Sequence, residues 1–134
     1  KNESINTLPW VPEILPFQIV VIGTLLIAAV PGEITTTAAR RLKKFIENKL
    51  AKTEIKHVII SSYANAYMGY ITTPEEYVTQ SYEAGHTIYG RQTLDGVIKG
   101  FEGILNEFLG QIPKNSKLTP FHFPAGELAL RTVP

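Results

Sequence analysis

Apolar residues change their spacing several times along this chain, and each change marks an element. From Phe17 to Ile22 and again from Leu25 to Val30 they run almost unbroken, parted only by Gly23-Thr24. These β-branched runs predict strands near 18–22 and 25–30, joined as a hairpin or as one bent strand. The second run is apolar at every position, which predicts burial on both faces. From Thr36 to Lys52 the spacing becomes helical: Ala38, Leu42, Phe45, Ile46 and Leu50 share one face, with arginines and lysines opposite. A threonine before this run serves as its cap. His57–Ser61 is again a short β-branched strand.

Thr73-Pro74-Glu75-Glu76 then starts a helix over 74–82, with Thr73 as N-cap, Pro74 at the first helical position and Glu76 completing a capping box. A last helix spans 93–109, capped by Thr93 and stopped at Gly110. Its stripe is Leu94, Val97, Ile98, Phe101, Ile104, Leu105, Phe108 and Leu109. Gly96, Gly100 and Gly103 each weaken that helix by about 1 kcal/mol relative to Ala, which is tolerable where the face packs tightly on another element. The alternation predicts an α/β fold of strand–helix–strand units, with a mixed or parallel buried sheet and flanking helices. Residues 1–112 form the folded portion. Residues 113–134, with Pro113, Pro120, Pro124 and Pro134, read as an extended tail or linker, and residues 1–16 as an irregular lead-in.

Composition narrows the function only by exclusion. The net charge of +1 gives no field that would draw nucleic acid, and the cluster Arg40, Arg41, Lys43 and Lys44 reads as the solvated face of a helix. The absence of Cys excludes a disulfide framework, a thiolate metal site and a cysteine nucleophile. The apolar stretch from Ile19 to Val30 is too short to span a bilayer. Because the chain opens on Lys rather than Met, it reads as a processed or excised piece of something longer.

The chemistry gathers in residues 61–90, which hold all six tyrosines. That stretch is too polar for a plain core strand and too aromatic for a plain loop. It is either a hydrogen-bonded aromatic layer or the wall of a binding site. Residues 62–72 form a strand-to-helix loop, where α/β folds place ligands, and Tyr70 lies on it. Glu33, in Pro31-Gly32-Glu33, lies at the end of a strand just before a helix. It is either compensation of the helix dipole or a ligand or base at the mouth of a sheet. No phosphate loop and no HExxH is present, and no two of the three histidines stand at metal-ligand spacing.

Three segments together resemble the neutral ceramidase family. They are Pro9-Trp10-Val11-Pro12-x-Ile14-Leu15-Pro16-x-Gln18; Ile22-Gly23-x-Leu25-x-Ile27-x-x-Val30-Pro31-Gly32-Glu33-x-Thr35-Thr36 with Arg40-Arg41-Leu42; and Asn65-x-Tyr67-x-x-Tyr70-x-Thr72-Thr73-x-Glu75-Glu76-Tyr77-x-x-Gln80-x-Tyr82-Glu83 with Thr87-x-Tyr89-Gly90. The match is collinear from about residue 8 to residue 95. It departs from the family pattern at Thr37-Ala38-Ala39 and at Arg91.

The resemblance implies a zinc-dependent amidase that cleaves the N-acyl bond of ceramide to sphingosine and fatty acid. It implies Zn²⁺ held by Glu33, Tyr70 and two histidines from the remaining part of the catalytic domain, with Tyr82 steadying the reacting amide. It further implies a secreted or extracytoplasmic protein that can associate peripherally with a membrane surface. With only two ligands of its own, the chain is expected to be the C-terminal part of the catalytic domain, active only with the rest. The competing reading is a non-catalytic lipid- or anion-binding α/β module.

Overall fold

The computed structural model describes residues 11–111 and Gly126. Every element below belongs to the unit Leu15–Lys114. The expected tail, 113–134, and most of the lead-in lie outside the described residues, except Gly126 and residues 11–16.

Strand β1 (Gln18–Ile22) turns at Gly23-Thr24 into β2 (Leu25–Ala29). The two pair antiparallel, with Ile22 opposite Leu25, so the interruption is a two-residue hairpin. Gly23 takes φ +58°, a backbone angle that a side chain would oppose. The chain then passes through β3 (Glu33–Ile34) into helix α1 (Thr36–Lys49) and returns as β4 (His57–Ser61), parallel to β2. The main sheet has the order β1-β2-β4, with β2 central. A second, parallel pair joins β3 to β5 (Tyr70–Ile71). Both sheets fit the predicted α/β class.

One face of the main sheet meets the helices. Leu26, Ala28 and Val58 point into a core shared with Ala38, Leu42, Ile46 and Leu50 of α1 and with Leu94, Val97, Phe101 and Leu105 of α4 (Thr93–Phe108). Ile71 and Met68 close it from the β5 side. The opposite face is open: Val20, Ile22 and Ile59 are exposed, and Leu25 and Ile27 are half-buried. The burial of β2 on both faces expected from its composition is therefore only partial. Among the described residues no second layer covers that side.

Other boundaries shift for local reasons. Thr35 caps α1, its side-chain oxygen accepting from the Ala38 N–H, and the helix ends at Lys49, short of Lys52. The predicted helix 74–82 is two short helices, α2 (Pro74–Val78) and α3 (Tyr82–Gly85), because Gln80 adopts φ +51° and breaks the ladder. Thr93 is the first residue of α4 rather than its cap. Its hydroxyl donates to the Gly90 carbonyl at 2.6 Å, and Gln92 holds the cap position without a side-chain bond. Gly110 ends α4 at φ +68°, as expected. The basic residues Arg40, Arg41, Lys43 and Lys44 are exposed on α1, with Arg41 paired to Glu75 and Lys43 to Glu47. No helix among the described residues is long and apolar enough to cross a membrane.

Candidate metal centre

The site starts from two glycines. A Cβ on Gly32 would lie 2.7 Å from the Gly69 carbonyl oxygen and 2.8 Å from Met68 Cγ; one on Gly69 would lie 2.8 Å from the His86 carbonyl oxygen. Only bare backbone allows the Pro31-Gly32-Glu33 turn to sit this close to the Met68-Gly69-Tyr70 segment. The Glu33 N–H then donates to the Gly69 carbonyl at 2.9 Å and the Thr35 N–H to the Ile71 carbonyl at 3.0 Å. In this register Glu33 pairs directly with Tyr70. Paired residues of neighbouring strands project to the same side, so carboxylate and phenol stand next to each other.

The loop between β4 and β5 wraps the same turn. Tyr63 N–H donates to the Gly32 carbonyl, Met68 N–H to the Pro31 carbonyl, and the Ser62 hydroxyl to the Gly32 carbonyl at 2.6 Å. From that loop the Tyr63 hydroxyl donates to Glu33 Oε2 at 2.5 Å and the Tyr67 hydroxyl to Glu33 Oε1 at 2.6 Å. On the other side the Tyr70 ring meets Tyr82 edge-on at 5.8 Å, and Tyr82 leans on His86 at 4.3 Å. Tyr82 opens α3 and is exposed, and its hydroxyl makes no hydrogen bond among the described residues.

These contacts set the protonation of the site. Hydrogen bonds from Tyr63, then Tyr67 and Tyr70, hold the Glu33 carboxyl below its ordinary value. The same bonds push the phenols the other way: Tyr67 rises to about 12, and Tyr63 and Tyr70 are also raised, each first by its bond to Glu33. A dication bound against the same oxygens would keep the carboxylate ionised and draw the phenols back down, since it favours the phenolate.

The sequence profile described as "Neutral/alkaline non-lysosomal ceramidase, N-terminal" matches residues 2–99. The chain belongs to this family. It is 36% identical to neutral ceramidase A of Dictyostelium discoideum over 129 residues, 90% of this chain and 18% of that relative. It is 46% identical to neutral ceramidase 2 of Arabidopsis thaliana over 99 residues, 69% of this chain and 13% of that one. Its fold superposes on the crystal structure of neutral ceramidase from Pseudomonas aeruginosa with TM-score 0.80 and 31% identity, covering 90% of this chain and 20% of that one.

 The two thus share the fold at 31% sequence identity over that overlap. This ceramidase-family chain therefore spans less than a fifth of the length of the first two relatives.

Of the residues singled out from the sequence, the fold brings Glu33, Tyr70 and Tyr82 together beside the Pro31-Gly32-Glu33 turn. Tyr63, Tyr67 and His86 join them, although the sequence reading gave none of the three a role at the site. Their signal was the density of tyrosines in 61–90; which ones face Glu33 depends on a loop path that the sequence does not reveal. The carboxylate is an ordinary zinc donor, whereas the phenol could join it only as the phenolate that a dication favours. Among the described residues no group of three or more His, Cys, Asp or Glu is placed to hold a metal by itself.

Proposed function

We propose that this chain contributes the Glu33–Tyr70 half of the zinc site of a ceramide-hydrolysing amidase, and that two histidines come from the remaining part of the catalytic domain. The carrying observation is the direct β3–β5 pairing of Glu33 with Tyr70, which sets two oxygen donors side by side. Membership of the ceramidase family supports ceramide as the substrate and the extracytoplasmic, membrane-surface setting. A zinc ion at this point supplies an activated water and polarises the amide carbonyl.

The chain's own residues bind and orient. Glu33 and Tyr70 offer oxygens from a backbone held by the Gly32–Gly69 approach. Tyr82, edge-on to Tyr70 and open to solvent, presents a hydroxyl to the oxygen that gains charge as the amide is attacked. The anion-binding alternative is less well supported. The Glu33 N–H is already bonded to Gly69, and the Thr35 side chain and the Glu76 carboxylate already occupy the start of α1.

The test uses the complete protein with its histidine-bearing part, measuring zinc content and fatty-acid release from ceramide. Tyr70→Phe is expected to lose zinc and most hydrolysis, whereas Tyr82→Phe keeps zinc and turns over more slowly. Full zinc and full activity in Tyr70→Phe would leave Tyr70 a structural member of the aromatic layer.

A further inference from the structure

We propose that Tyr63 and Tyr67 are positioning residues for Glu33: their two phenols grip both carboxylate oxygens and aim them at the point shared with Tyr70 before any metal arrives. The inference rests on the zinc reading above. A glutamate beside water ordinarily samples several rotamers, yet this one is bonded at Oε2 by Tyr63 and at Oε1 by Tyr67, at 2.5 and 2.6 Å. The two rings stack at 6.4 Å with only 13° between their planes, so they act as a pair. A carboxylate has about four lone-pair positions, and the bonds from Tyr63, Tyr67 and Tyr70 still leave one for a cation.

The pair has little to do with the core. Tyr63 is 62% exposed and Tyr67 53%, so neither contributes much burial. The loop that carries them is nevertheless held in an uncommon shape. Tyr63 and Asn65 both adopt left-handed backbone angles, φ +57° and +66°; Asn takes this region readily, but the bulky Tyr63 does so only under constraint. The Asn65 amide ties the loop to β1 by donating to Gln18 Oε1 at 2.6 Å, and the Tyr63 N–H is held by the Gly32 carbonyl. Local strain, exposure and convergence on one carboxylate together favour a role in organising the ligand.

The experiment takes the complete protein, with its histidine-bearing part, and its Tyr63→Phe, Tyr67→Phe and double variants, and uses NMR of the Glu33 side chain in the metal-stripped form, a thermal melt and titration with Zn²⁺ alone. Wild type is expected to show one dominant Glu33 rotamer, and the double variant an averaged one with an unchanged melting temperature. Zinc affinity should fall by roughly tenfold, the lower end for loss of groups that orient a ligand. Glu33→Gln and Tyr70→Phe serve as controls. Zinc affinity that follows the controls but not the Phe variants, or an ordered Glu33 in the double variant, overturns the positioning role alone. Affinity insensitive to both controls overturns the metal reading and the positioning role with it.

Discussion

Glu76 shows how much one side chain can organise away from the core. Its Oε2 accepts from the Thr73 N–H and from the Thr35 hydroxyl, both at 2.8 Å, while the Thr73 side-chain oxygen accepts from the Glu76 N–H. Because Thr35 caps α1 and Thr73 caps α2, one carboxylate ties two helix starts together. Burial alone would raise its pKa, but the bonds from the Thr73 backbone and the Thr35 hydroxyl outweigh burial and lower it. The linkage sign follows: the stabilisation is complete above the unfolded value of 4.5 and is lost as pH falls through the lower folded value. Glu76→Ala is expected to cost about 1–2 kcal/mol, the upper part of the range for a lost cap. Urea melts at neutral and acid pH should show that cost shrinking as the pH drops below the ordinary carboxyl range.

Within α4, three glycines read alike from the sequence and differ in the fold. A Cβ at Gly100 would lie 2.8 Å from Phe17 Cδ2, whereas those at Gly96 and Gly103 would meet nothing within 4 Å. Phe17 is itself packed on Phe101 with ring centroids 5.4 Å apart, so its ring has little freedom to retreat. Gly96→Ala and Gly103→Ala are therefore expected to stabilise the chain by up to about 1 kcal/mol each, through helix propensity. Gly100→Ala should gain nothing or lose stability, because overpacking opposes the same gain. Melting temperatures of the three variants, measured side by side, decide it.

At the scale of the molecule, the sheet is covered on one face only among the described residues. Phe101 and Leu26 are wholly buried between sheet and helices, while Ile59 on the opposite face is 50% exposed. Phe101→Ala should cost about 3–5 kcal/mol, from lost transfer energy plus the cavity left behind. Ile59→Thr should fall within roughly 0.5 kcal/mol, as surface changes do. Denaturant midpoints of the isolated chain test the contrast, and equal losses would mean that the open face is covered in solution.

What the sequence determined by itself is whatever depends on near neighbours along the chain. The break at Gly23-Thr24, the Thr73–Glu76 capping box, the amphipathic faces of α1 and α4 and the Gly110 stop each involve residues within a few positions of one another. The family motifs likewise pointed to Glu33, Tyr70 and Tyr82. Only the tertiary structure decided which partners met across long separations. The strands β3 and β5 are two residues each, too short to carry a period, and they pair because Gly32 and Gly69 let two backbones touch. That contact puts Glu33 beside Tyr70, and the path of the loop around it turns Tyr63 and Tyr67 onto the same carboxylate. The break at Gln80, the link from Glu76 to Thr35 and the one glycine of α4 that packs arise in the same way: each depends on which surface arrives opposite, and local propensity does not encode that.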